Sequence, residues 1–207
     1  MEDKRATLVA ADLEGVFLPE IWIAVSEATG IKELSLTTRN IANYAELMAL
    51  RISILRTQQI SLRDIQAIIA GLEPLPGARA FIDWIRERTR LIILTDSFYP
   101  FLTPFLPKLG YPTIFAHQLV TDGQDMLTGY TLRVQDSKRV AMETFHTLGF
   151  RTMAFGDSYN DISMIGAADT GLFFRPPESV MTDFPHVGVA QTYAELQEAM
   201  TDFLAEA

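Results

Sequence analysis

The chain has no cysteine, which excludes disulfides and thiolate zinc sites. Histidine is nearly as scarce: His117, His146 and His186 are the three present. None has a neighbour at metal-ligand spacing, so a structural role is the reading for each. Basic residues are outnumbered 17 to 26, for a formal net charge of −9. That balance argues against a broad nucleic-acid binder, so any phosphate site must be local. No apolar run approaches the ~20 residues needed to cross a bilayer. Repeats and low-complexity tracts are also missing.

What remains is 207 residues with a 48% hydrophobic fraction, enough for one large domain or a core of about 150 residues carrying an insertion. The opening "MEDKRATLVAAD" runs from charges straight into a strand pattern. It leaves no room for a cleaved leader, so a cytoplasmic location is expected.

Strand-like runs appear at "TLVAADL", "RLIILTD", "TIFAHQLV", "RTMAFGDS" and "TGLFF", separated by helical patterns. This alternation predicts an α/β fold: a Rossmann-like, mostly parallel sheet with helices on both faces. Ligands of such sheets bind beyond the carboxyl ends of the strands, so Asp12, Thr95 and Asp157 should converge on one crevice. "VTDGQDMLTGYTLR" has Asp-Gly turn chemistry and reads as a small antiparallel hairpin beside the sheet.

Residues 18–73 are too long for one crossover helix and predict a small helical cap domain inserted after the first strand. The core domain is then 1–17 and 74–207. Within the insertion, "EIWIAVSEATG" closes at Gly30, "NYAELMALRISILR" opens with Asn43 and Glu46 spaced as a capping box, and "SLRDIQAIIAG" repeats that logic and stops at Gly71. Tyr44, Leu47, Met48 and Leu55 form an apolar stripe at helical spacing, and Arg51 lies on it, where an arginine needs an anionic partner. In "FYPFLTPFLPKLG" Pro104 and Pro107 would each cost about 3 kcal/mol inside a helix. Pro100 suits a first helical position, and any helix here should be short or kinked. Trp22, Trp84 and the "FLTPFL" aromatics read as core or cap packing, or as a contact in a homodimer.

The "LVAADLEGVFLPE" stretch aims two like charges, Asp12 and Glu14, from the end of a buried strand. Desolvation and mutual repulsion make that placement costly, so a cation or a reaction should sit between them. With "DLEGV", Thr95 closing "LIILT", Lys138 in "QDSKRVAMETF" and "GDSYND" in order along the chain, the sequence resembles the haloacid dehalogenase superfamily of phosphohydrolases. Within it, the chain is similar to the phosphoserine phosphatases. The similarity is greatest to the bifunctional phosphoserine phosphatase/homoserine phosphotransferases, in which "DLEG…PEIW", a Thr-Asp-Ser/Thr-Phe-Tyr run and "GDSYND" recur.

The resemblance implies roles. Asp12 is the nucleophile that forms an aspartyl-phosphate, and Glu14 is the general acid and then base. Mg2+ is held by Asp12, the Glu14 carbonyl and Asp157, with Asp161 holding metal-bound water or Lys138. Thr95 and Lys138 bind the phosphoryl oxygens. Arg51 clamps a substrate carboxylate and Glu20 its ammonium, with Asn160 as a further substrate contact. The implied partners are small molecules, phosphoserine as donor and homoserine as an acceptor beside water, with neither nucleic acid nor membrane.

Glu14 replaces the family's more common second Asp, and Asp96 and Ser97 stand where glycines usually follow the hydroxyl. Both departures occur in the phosphotransferase variant. The competing readings are a phosphatase of a sugar phosphate or nucleotide, and a phospho-accepting receiver domain. For single residues, Arg51 could instead lay its stem on apolar surface with its head toward water or a structural carboxylate such as Glu46, and Glu20 could be a first-turn acid. Asp96 and Tyr99 have no assigned role.

Overall fold

The computed structural model describes residues 5–37, 40–41 and 43–206. Among these, the strands are β1 (Thr7–Ala11), β2 (Arg90–Phe98), β3 (Thr113–Thr121), β4 (Leu127–Thr131), β5 (Arg151–Gly156), β6 (Thr170–Phe174) and β7 (Gly188–Ala190). They form one sheet in the order β4-β3-β2-β1-β5-β6-β7. Every neighbouring pair is parallel except β3–β4, the hairpin at one edge. β1 lies between β2 and β5, where strand order reverses, and all five of its residues are buried. Its side chains alternate between two cores, as the pleat requires. Val9 and Ala11 join one cluster, Leu8 and Ala10 the other.

Residues 18–73 hold α1 (Ile21–Thr29), a 3₁₀ turn (Lys32–Ser35), α2 (Tyr44–Thr57) and α3 (Leu62–Ala70). α1 ends at Gly30 with φ 73°, a left-handed geometry that suits glycine. At α2 the Asn43 side chain accepts from the Ala45 and Glu46 amides, but Glu46 returns no bond, so the expected capping box is only half formed. At α3, where the sequence repeats the same logic, the reciprocal pair does close, between Ser61 and Asp64. The inserted helices share one continuous core with the sheet: Val25, Leu55 and Ile65 cluster with Phe17, Phe81 and Phe155. The two crossings of the chain are tied together where Leu75 donates its amide to the Phe17 carbonyl at 2.9 Å.

Beyond the insertion run α4 (Ala78–Arg86), α5 (Tyr99–Leu102), α6 (Leu106–Leu109), α7 (Ser137–Thr147), α8 (Ile162–Ala167), α9 (Glu178–Asp183) and α10 (Tyr193–Ala205). α4 and α10 pack on the face that also receives the insertion, through Phe81, Ile85, Leu196 and Met200. α7 and α8 cover the other face through Met142, Phe145 and Met164. The proline-rich segment splits in two: α5 and α6 each carry a proline in the first turn, Pro100 and Pro107, and Pro104 lies in the turn between them. Pro100 is thus the second helical residue, one past the expected position, where its missing N–H is equally harmless. No helix among the described residues is long and apolar enough to cross a membrane.

Candidate active site

The β1 ladder continues one residue past the strand: Asp12 donates its amide to the Phe155 carbonyl at 3.0 Å. That bond seats Asp12 beside the end of β5, where Asp157 and Asp161 follow. Two glycines make the approach close enough. Gly15 has φ 75°, and a Cβ on it would lie 2.5 Å from the Asp157 Cγ; a Cβ on Gly156 would overlap the Asp161 carboxyl. One carboxylate oxygen from each of Asp12, Asp157 and Asp161 lies within 4.8 Å of the others.

Lys138, 2% exposed at the start of α7, reaches this group. Its ammonium is 2.9 Å from Asp12 Oδ1, 2.6 Å from Asp161 Oδ1 and 3.8 Å from Asp96 Oδ2. Asp161 is fully buried, and its other oxygen accepts the amides of Asp157 and Ser158, both at 3.0 Å. Burial disfavours the Lys138 ammonium, but Asp12, Asp161 and Asp96 outweigh it and raise the lysine pKa well above its ordinary value. Asp12 is pushed up by burial and then by Asp161, against the pull of Lys138. Asp157 is raised to about 7, chiefly by burial and by Asp161. Three crowded carboxylates around one ammonium leave the cluster short of positive charge, and a bound cation would reverse these shifts.

The donor set fits a hard divalent ion. All three side chains offer oxygen, and the turn after Glu14 closes through the carbonyls of Leu13 and Leu18. Among the described residues, therefore, the Glu14 carbonyl takes no hydrogen bond and stays available. An oxygen-only set of this kind suits magnesium.

Glu14 points its side chain the other way along the cavity. Oε2 accepts the Ile21 amide at 3.1 Å, so Glu14, and not the preceding residue Glu20, satisfies the first turn of α1. Burial raises the Glu14 pKa, while hydrogen bonds from Ser97, the Ile21 amide and Glu20 oppose the rise. Glu20 is pushed up to about 7, first by burial and then by Glu14. A carboxyl pair of this kind readily holds a proton near neutrality.

Thr95 and Ser97 are buried on β2, and the Ser97 amide donates to Thr95 Oγ1 at 3.1 Å. β2 runs on to Phe98, with its register to β3 shifting between Leu94 and Phe98. Thr95 thus sits inside an irregular strand end and not at its last residue, because the bulge turns its neighbours toward the cavity.

The cavity beyond has a volume of ≈ 500 Å³ and is lined by residues of the core strands' ends and by Glu20, Trp22, Tyr44, Leu47 and Arg51 of the insertion. Arg51 is 6% exposed. One Nη donates to the Leu36 carbonyl at 2.7 Å, and the guanidinium lies 4.4 Å from the centre of the Trp22 ring. Its buried Nε has no partner among the described residues. Burial lowers its pKa to about 10, with Tyr44, Glu14 and Glu20 working against the fall. The head therefore faces the cavity and not Glu46.

Residues 8–169 match the haloacid dehalogenase-like hydrolase family. The chain is a haloacid dehalogenase-like hydrolase. It is 46% identical over 191 residues to a phosphoserine phosphatase of Pseudomonas syringae pv. tomato, covering 92% of this chain and 81% of the relative. It is 46% identical over 190 residues to phosphoserine phosphatase ThrH of Pseudomonas aeruginosa, covering 92% and 93%. Its fold superposes with TM-score 0.77, at 18% identity over 95% of this chain and 99% of the other, on a phospho-aspartyl intermediate analogue of phosphoserine phosphatase.

Asp12, Glu14, Thr95, Lys138, Asp157 and Asp161 of this hydrolase meet at one rim, with Glu20, Arg51 and Asn160 on the same cavity. Sequence reasoning missed Ser97 as the partner of Glu14, and Arg175 as a cavity residue. It also treated His117 as structural, although His117 stands behind Asp96 at 3.6 Å. The charge of Asp96 next to Thr95 was the available signal. Tyr99 turns away, and its hydroxyl donates to the Ile114 carbonyl.

Proposed function

We propose that the protein is a magnesium-dependent phosphomonoester phosphotransferase that takes the phosphoryl group of phosphoserine onto Asp12 and delivers it to water or to homoserine. The observation that carries this reading is the meeting of Asp12, Asp157 and Asp161 at the carboxyl end of β1 and β5, with the Lys138 ammonium on Asp12 and Asp161. The relatives named phosphoserine phosphatase support the substrate, and the name ThrH supports homoserine as an acceptor.

In this reading Asp12 attacks phosphorus in line with the departing serine oxygen. The P–O bond to serine breaks, and an Asp12 acyl-phosphate forms. Glu14, held by the Ile21 amide, gives its proton to the serine alkoxide. In the second half, Glu14 takes the proton of water or of the homoserine hydroxyl as that oxygen attacks phosphorus and Asp12 departs as a carboxylate. Lys138 and the Thr95 hydroxyl stabilise the charge on the phosphoryl oxygens. Asp12, Asp157 and the Glu14 carbonyl would hold Mg2+, which supplies charge neutralisation of the phosphoryl group when bound.

The helices of residues 18–73 serve as the cap, and Arg51 is its carboxylate reader. A buried guanidinium on the cavity wall that has no carboxylate within salt-bridge distance among the described residues is suited to an anion in the cavity, which a sugar phosphate or nucleotide would not place beside it. Glu20, once ionised, receives the substrate ammonium.

Phosphorus NMR of the protein with phosphoserine and Mg2+, with and without homoserine, tests the proposal. Phosphohomoserine appearing at the expense of inorganic phosphate supports transfer. Inorganic phosphate alone in both samples removes the transferase half, and unchanged phosphoserine removes the whole reading.

A further inference from the structure

Asp96 has no task in the phosphoryl transfer described above, yet both of its oxygens face side chains of the cavity wall. The β2 bulge turns it into the cavity. Oδ2 accepts from the Asn160 side-chain amide at 3.1 Å. Oδ1 is 3.6 Å from His117 Nε2. His117 is 3% exposed, and its Nδ1 accepts the Arg133 amide at 3.1 Å. With Nδ1 acting as an acceptor, the ring hydrogen of His117 is on Nε2, the nitrogen on the Asp96 side. Burial would raise the Asp96 pKa, but Lys138, His117 and Asn160 hold it well below the ordinary range, so this carboxylate is a constant acceptor.

Asn160 is gripped from both ends. Its Oδ1 accepts the Ser158 hydroxyl, and one of its amide hydrogens goes to Asp96. The second amide hydrogen, fixed in the same plane, is left for the cavity. Lys138 owes its place to nearer partners, Asp12 at 2.9 Å and Asp161 at 2.6 Å, against 3.8 Å for Asp96. Asp96 therefore acts mainly on Asn160.

We propose that Asp96, oriented by buried His117, is a positioning residue that aims the Asn160 amide at the phosphoryl group being transferred. This rests on the reading that Asp12 is phosphorylated at this rim. Misdirecting a donor by about 1 Å costs on the order of 100-fold in rate. Asp96→Ala is expected to lower kcat by roughly 10- to 100-fold with little change in KM. Asp96→Asn keeps an acceptor oxygen for Asn160 but turns its amide nitrogen on His117, so it is expected to lose no more of kcat than His117→Phe.

The decisive comparison is a cycle with Asn160→Ala, assayed on phosphoserine with Mg2+ and with thermal melting of every variant. The double variant Asp96→Ala/Asn160→Ala is expected to match Asn160→Ala alone within about twofold, because the positioned group is already gone. His117→Phe, which keeps the ring but removes the donor, should show a smaller loss that also vanishes in the Asn160→Ala background. Losses that multiply in the double variant would overturn the proposal, as would Asp96→Asn falling as far as Asp96→Ala. Should Asp96→Ala fail to fold, the same cycle run with Asp96→Leu decides on the same criteria. If the unmodified protein turns over no phosphomonoester, the functional reading falls and this one with it; turnover with multiplicative losses removes this one alone.

Discussion

Replacing Arg51 with Met separates binding from folding. The side chain is long and apolar, so it fills the same channel beneath Trp22 while removing the charge. Three terms set the change in stability. The variant loses the bond to the Leu36 carbonyl, at 2.7 Å, and the contact with the Trp22 ring, together about 1–3 kcal/mol. It gains by removing a buried charge and the unpartnered Nε, a term of about 1–3 kcal/mol in the opposite direction. The balance is near zero, and the melting temperature should move by only a few degrees. Activity behaves differently. Truncating one partner of a buried charge pair costs about 2–5 kcal/mol, so kcat/KM for phosphoserine should fall by roughly 30- to 5,000-fold. A phosphomonoester without a carboxylate, such as phosphoethanolamine, should be turned over as before. Steady-state kinetics on both esters, beside a thermal melt, checks this. An equal loss on both would refute the assignment of Arg51 to a carboxylate, and a collapse of stability would show that its role is in packing.

Other outcomes follow from the same geometry. Gly156→Ala would drive a methyl group into the Asp161 carboxyl, so it should abolish turnover and lower the melting temperature together; a melt and a progress curve test this. Mg2+ should relieve repulsion among Asp12, Asp157 and Asp161 and stabilise the fold by about 2.7 kcal/mol at a hundredfold excess over Kd, read as a higher melting temperature, and Asp157→Asn should weaken that rise. Asp169 accepts from the Thr152 amide at 2.7 Å and from His146 at 3.0 Å. Burial would raise its pKa, but these partners and Arg5 lower it. A depressed carboxylate stabilises the fold above its unfolded pKa, and the contribution is lost as pH falls through the folded value. Urea unfolding should therefore show Asp169→Asn about 1 kcal/mol less stable at neutral pH, with the gap narrowing below about pH 4.

The parts of this protein visible in sequence are those fixed by short-range pattern. β1, β5 and β6 are apolar runs ending in turns, and the paired acids at the end of β1 stand out because nothing local compensates them. The hairpin was legible from its Asp-Gly turn. β7 was not, since three residues, two exposed and one buried, carry no periodic signal. The second strand reads as a run closing in Thr95-Asp96; its continuation to Phe98 and the register shift there depend on pairing with β3. His117 carries no nearby partner in the chain. Its relation to Asp96 exists only after β2 and β3 align, and no spacing rule anticipates it. The same holds for Ser97 and Glu14, which are remote in sequence and meet across the strand end.

The most direct test is acid quench of the protein during turnover of radiolabelled phosphoserine with Mg2+, followed by peptide mapping. Asp12 as the carrier predicts one acid-stable, hydroxylamine-labile phosphoryl group on the peptide that contains it, chased by added homoserine and missing in Asp12→Asn. Turnover with no label on that peptide, or label persisting in Asp12→Asn, would contradict the account.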